Sequence, residues 1–117
     1  MNRVPDWPSR LSVTLREAER RPFDDIRWNC GRFVLACIEA CTGIKPVWRS
    51  LPTLEQTADS AGFQRIPAAF AATGDVVLAR DPDRLGVVVM AGEAAFVSMR
   101  GLIRIPAASC ATAWRIG

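Results

Sequence analysis

The sequence predicts an α+β domain, with its helices in the first half and an antiparallel sheet in the second. Two observations predict it. From Cys30 to Thr42 the apolar residues recur at helical spacing, whereas from Asp75 onward they come in short β-branched runs separated by turn residues. The 117 residues are half hydrophobic, enough for one core, and no composition shift or internal repeat divides them. Residues 1–117 therefore read as a single domain.

The first helix opens at Asp6-Trp7-Pro8-Ser9, where a turn-forming acid and an early proline precede Trp7, Leu11, Leu15 and Ala18 at helical spacing. It spans about residues 7–20, and Pro22 ends it, because a proline disfavours helical geometry at the residue before it. The central helix occupies about residues 30–42. Asn29 is its N-cap, with a side-chain oxygen able to accept from the free N–H groups of the first turn, and Gly43 is its C-terminal stop. Cys30, Val34, Cys37, Ile38 and Cys41 share one side of this helix, with Phe33 beside them, and that side is the buried one. Residues 44–52 are too rich in proline for a helix and form a loop anchored by Trp48. Thr53 then caps a short helix of about residues 54–61 that ends at Gly62.

All strands are expected within residues 75–116. The runs 75–80, 86–90, 94–98 and 102–105 are separated by Asp81-Pro82-Asp83, Ala91-Gly92-Glu93 and Arg100-Gly101. Ala113-Trp114-Arg115-Ile116 adds a last strand, giving a sheet of about five.

A net charge of +3 is mild, and the basic residues are scattered arginines with Lys45 the one lysine. Such scatter is a weak footprint for nucleic acid, which is not an expected partner. The N-terminus lacks the apolar run of a signal peptide, and no stretch approaches the ~20 apolar residues of a membrane helix, so a soluble chain made in the cytoplasm, without membrane insertion, is expected. Cys37 and Cys41 stand one helical turn apart, a geometry unsuited to a disulfide, so reduced thiols are expected. The four cysteines lack zinc-site spacing and the chain has no histidine, so neither a metal nor a cofactor is expected.

Cys30 is the candidate nucleophile. It takes the first helical position, where unpaired N–H groups and the positive end of the helix dipole favour a thiolate. The competing reading is a small buried residue at the head of a core helix, since free cysteine is among the most buried residue types. Trp28 and Asn29, just before it, are the candidate binding residues of any groove beside Cys30. The remaining tryptophans read as core or anchoring residues.

The helix-starting cysteine in Asn29-Cys30-Gly31-Arg32-Phe33-Val34, then Thr73-Gly74-Asp75-Val76-Val77, Leu85-Gly86-Val87-Val88-Val89 and Phe96-Val97, resembles the NlpC-type branch of the papain-like cysteine peptidases. With Trp7, Arg21-Pro22-Phe23, Thr42-Gly43, Gly101-Leu102 and Ala113-Trp114-Arg115-Ile116, nearly the whole chain is similar to short NlpC-like proteins of tailed phages and prophages. The resemblance implies an NlpC-like fold in which the cysteine helix packs on the sheet. In active members the cysteine attacks a cell-wall peptide bond, a histidine two residues ahead of the strand glycine acts as base, and a polar residue on the next strand orients it. Cys30 matches the nucleophile, Arg84 falls at the histidine position, and Ser98 at the orienting position.

A cysteine–histidine pair works because imidazole can take the thiol proton and return it to the leaving amine near neutral pH. Arg84 cannot, because a guanidinium stays protonated. Asp24, Asp25 and Asp75 are the remaining candidate bases, mismatched to an amine leaving group by a pKa near ~4. Three readings follow. The first is a structural protein of the distal phage tail, made in the host cytoplasm, carried in the virion and partnered by other tail-tip proteins. The second is a cysteine hydrolase acting through Cys30 on cell-wall peptide, with an unorthodox or partner-supplied base. The third is a module that binds a peptide without cutting it.

Overall fold

Asn29 and Gly43 bound the central helix in the computed structural model, which describes residues 2–117. Helix α2 (Cys30–Thr42) begins with the Asn29 side-chain oxygen accepting from the Arg32 backbone N–H at 3.0 Å. Gly43 ends it at φ 74°, a left-handed conformation open to glycine at no steric cost. Helix α1 (Trp7–Glu19) carries Pro8 in its first turn, but the Asp6 side chain makes no cap, so the preset backbone of the proline starts this helix without help from the acid. Helix α3 (Leu54–Asp59) has a full capping box. The Thr53 hydroxyl accepts from the Gln56 N–H at 3.1 Å, and the Gln56 side chain accepts from the Thr53 N–H at 3.3 Å. This helix is two residues shorter than expected, because three-residue turns carry the chain through Ala61 and Gly62.

Six strands, β1 (Gln64–Ile66), β2 (Val76–Ala79), β3 (Arg84–Val88), β4 (Glu93–Ser98), β5 (Gly101–Pro106) and β6 (Thr112–Arg115), form one antiparallel sheet in the order β1-β6-β2-β3-β4-β5. The expected α+β class holds, but the expectation of about five strands, all within 75–116, is one strand short. Strand β1 precedes that range, and at three residues it is too short to show a period; its pairing with β6, from Gln64↔Arg115 to Ile66↔Ala113, defines it. That pairing also puts β6 inside the sheet, between β1 and β2.

The two-residue period of the strands divides the sheet into two faces. Val76, Leu78, Leu85, Val87 and Trp114 share a core with Phe33, Val34, Cys37, Ile38 and Cys41 of α2 and with Leu11 and Ala18 of α1. Burying each large aliphatic side chain there stabilises the fold by roughly 1.5–3 kcal/mol. Val77, Ala79, Val88, Ala94, Phe96 and Ala113 form the other core, covered by Ile66, Ala68, Ala107 and Cys110. Two 3₁₀ turns, Ala68–Phe70 and Ala107–Ser109, pack against each other on that side.

Asp75 ties the two ends of the chain together. It is 1% exposed, and its carboxylate accepts from the Arg3 guanidinium at 3.0 Å, the Ile116 N–H at 3.0 Å and the Ala72 N–H at 2.9 Å. With three donors around it the buried charge is compensated, which is what allows a carboxylate here. Arg3 also donates to the carbonyls of Thr73 and Ile116, both at 2.7 Å. Among the described residues no helix is long and apolar enough to cross a membrane.

Candidate functional site

Cys30 opens onto a cleft of about 560 Å³ between the start of α2 and the loop that leads into α3. The capping interaction that starts α2 also fixes this wall: Asn29 accepts from the Arg32 N–H and donates through its Nδ2 to the Asp25 carbonyl at 2.8 Å. Cys30 is half-buried at the first helical position, as its place after the cap dictates. Its lining mixes the apolar Trp48, Leu51, Leu54 and Leu85 with the polar Asp25, Arg32, Ser50 and Thr57.

Of the residues expected around Cys30, Asn29 is in the cleft and three others are not. Trp28 is turned into the core, 8% exposed, edge-to-face with Phe33 at 6.0 Å and covered by the Arg21 guanidinium at 4.3 Å. It lines a different cavity, and Trp48 is the aromatic beside Cys30, lying within 3.4 Å of where a Cβ on Gly31 would stand. The signal for Trp48 was its place as the one aromatic in a proline-rich loop. That loop's path across the cleft is set by contacts with α3 and the residue after it: the Arg49 N–H donates to the Ser60 hydroxyl at 2.7 Å and the Leu51 N–H to the Thr57 hydroxyl at 3.0 Å.

Arg84, at the position matched to the histidine, points away from α2. On β3 the residues that face Cys30's helix are Leu85 and Val87, so Arg84 projects from the other face, its guanidinium 5.5 Å from the Phe96 ring. There it draws down the pKa of the Cys110 thiol, although burial, the larger effect, pushes that thiol up. Its Nε is buried without a hydrogen-bond partner among the described residues. Ser98 closes the β4–β5 hairpin: its hydroxyl donates to the Gly101 carbonyl at 2.9 Å and accepts from the Arg100 N–H at 3.2 Å. Neither side chain lines the cleft that holds Cys30.

The carboxylates divide in the same way. Asp75 is spent on the Arg3 clamp. Asp24 accepts from the Arg27 and Ile26 N–H groups, both at 3.0 Å, and these bonds hold its carboxyl below the usual range, making it a weaker base still. Asp25 is the acid that lines the Cys30 cleft. Cys37 and Cys41 are fully buried, and burial pushes both thiols up, so they remain protonated packing groups. Among the described residues no group of three histidine, cysteine or acidic side chains could hold a metal ion.

No curated protein matches the chain. A family model described as "Domain of unknown function (DUF6950)" matches residues 2–52 and 49–116, nearly its whole length, and the chain belongs to that family.

Proposed function

We propose that this chain is an NlpC-like, papain-related domain without hydrolase activity that serves in assembly at the distal end of a bacteriophage tail. On this reading it is made in the host cytoplasm, is carried in the virion and contacts other tail-tip proteins. The order and spacing of the motifs around Cys30, Gly74-Asp75, Gly86 and Trp114 support it, as does a capped cysteine helix lying on an antiparallel sheet. The observation that carries the loss of activity is the orientation of the two positions that would activate Cys30. Arg84 lies on the far face of the sheet and Ser98 is committed to a hairpin, so the half-buried thiol is left in a cleft without an imidazole.

A second reading is favoured by the openness of that cleft: a peptide could be held against Trp48, Leu51 and Leu54 without being cut. The hydrolase reading needs an unorthodox base, for which Asp25 is the acid that lines the cleft, or a base from a partner chain. The test is the rate of Cys30 alkylation against pH in the folded protein, with Cys37 and Cys41 as protected references, together with the Cys30→Ala variant in a tail-assembly assay. Alkylation no faster than that of a free model thiol across the pH range and unchanged assembly of the variant are expected. Alkylation far faster than the model thiol at neutral pH, with cell-wall peptide turnover lost in Cys30→Ala, would overturn the proposal.

A further inference from the structure

On the other side of Leu35 from the Cys30 cleft is a second cavity, of about 250 Å³, bordered by Arg21, Arg27, Arg32 and Lys45 and by Glu39 as its one carboxylate. Its lining therefore carries a net charge equal to that of the whole chain, and the remaining residues balance to zero. None of these four cations belongs to an ion pair among the described residues. Elsewhere, by contrast, Arg65 and Arg80 share the Glu55 carboxylate. Lys45, the chain's one lysine, is exposed, as are Arg27 and Arg32. The two cavities share Arg32 and Leu35 as a common wall, so the cationic surface continues into the Cys30 cleft. Ile26, next in sequence to Arg27, is 75% exposed, and Val47, two residues after Lys45, is 87% exposed.

Clustered guanidinium groups recognise carboxylates and phosphates through paired N–H donors. The one aromatic lining this cavity, Trp28, is already packed between Arg21 and Phe33 and offers no free face on which the bases of a nucleic-acid strand could stack here. Exposed apolar side chains beside the charges suit a peptide instead. We propose that this surface docks an acidic segment of a partner protein, with carboxylates paired to Arg27, Arg32 and Lys45 and a neighbouring apolar side chain against Ile26 or Val47. The choice of a protein partner rests on the assembly reading above; the charge of the cavity does not.

The experiment is fluorescence anisotropy on the full chain with a dye-labelled peptide of mixed glutamate and leucine. Its comparisons are the same peptide with glutamine for glutamate, an oligonucleotide of equal charge, and inorganic pyrophosphate. Saturable binding is expected that weakens in high salt and falls about tenfold or more in Arg27→Glu/Lys45→Glu, the equivalent of about 1.4 kcal/mol. Both side chains are exposed, so the variant should fold. Arg16→Glu/Arg115→Glu, an equal change in net charge at exposed sites that line neither cavity, should bind within about twofold of the parent, as expected for charges remote from the contact. The proposal is overturned if the glutamine peptide binds equally, if both double variants bind alike, or if the oligonucleotide or pyrophosphate displaces the peptide at matched concentration. A catalytic Cys30 would sink the assembly reading and leave a positive titration standing. A failed titration would remove the acidic segment without touching the Cys30 result.

Discussion

The two faces of the sheet are built from different residues, and that difference governs what Cys30 can do. Against α2 the sheet presents Val76, Leu78, Leu85, Val87 and Trp114, large side chains matched to Phe33 and Ile38. The opposite face is thinner, with Ala79, Ala94 and Ala113 around one large ring, Phe96. Small residues there allow two short 3₁₀ turns to cover the sheet without a helix. Phe96 fits only because position 86 is glycine: a Cβ on Gly86 would stand 2.5 Å from the Phe96 ring and 2.6 Å from the Ala95 carbonyl oxygen. Arg84, two residues before that glycine, must share its face. The residue matched to a catalytic base thus belongs to the thin side, and its neighbour Leu85 lines the cleft that holds the thiol.

The largest effect expected from this asymmetry is on stability. Phe33→Ala, with the ring fully buried under α2, should cost about 3–5 kcal/mol in denaturant unfolding, while Phe96→Ala should sit near the bottom of that range because its alanine neighbours offer fewer contacts to lose. Equal losses would break the distinction between the faces. Gly86→Ala should cost about 1–3 kcal/mol by overpacking, and pairing it with Phe96→Leu should recover part of that cost. Strict additivity in this pair would mean that the ring does not depend on the glycine.

The smallest effect is acid sensitivity, confined to the α2 side. Its largest side chain, Trp114, donates its indole N–H to Asp59 at 2.9 Å, and Asp59 also pairs with Arg65 at 2.8 Å. The Arg65 hydrogen bond, assisted by that of Trp114, holds the Asp59 carboxyl below its usual range. A lowered folded pKa means a stabilising contribution that is complete above the unfolded value, near ~3.9, and is lost as pH falls through the lowered one. Asp59 is exposed, so the effect is small. The melting temperature of Asp59→Asn, followed from pH 6 to pH 2, should decline less steeply than that of the parent; parallel declines would detach this pair from acid stability.

Much of the fold was legible because it is local. Asn29 and Gly43 announce α2, Thr53 and Gly62 announce α3, and the β-branched runs after Gly74 announce four strands, each through chemistry that acts within a few residues. Strand β1 was not legible, since three residues carry no period and only β6 makes them a strand. For the site, the sequence placed Cys30 at the helix start and Asn29 in its cap. It misplaced Trp28, Arg84 and Ser98, and it offered Trp48 only as a loop anchor.

By itself, then, the sequence determined the α+β order, the capped cysteine helix and the absence of any histidine to serve it. Which residues meet Cys30 was decided by tertiary structure, because strand register and the path of a loop are set by contacts between elements. On a strand, a shift of one position sends a side chain to the other side of the molecule. The same holds for the basic cavity: Arg21, Arg27, Arg32 and Lys45 look scattered along the chain, and the folding of the 20–28 segment and the 43–48 loop against α2 brings them around one space.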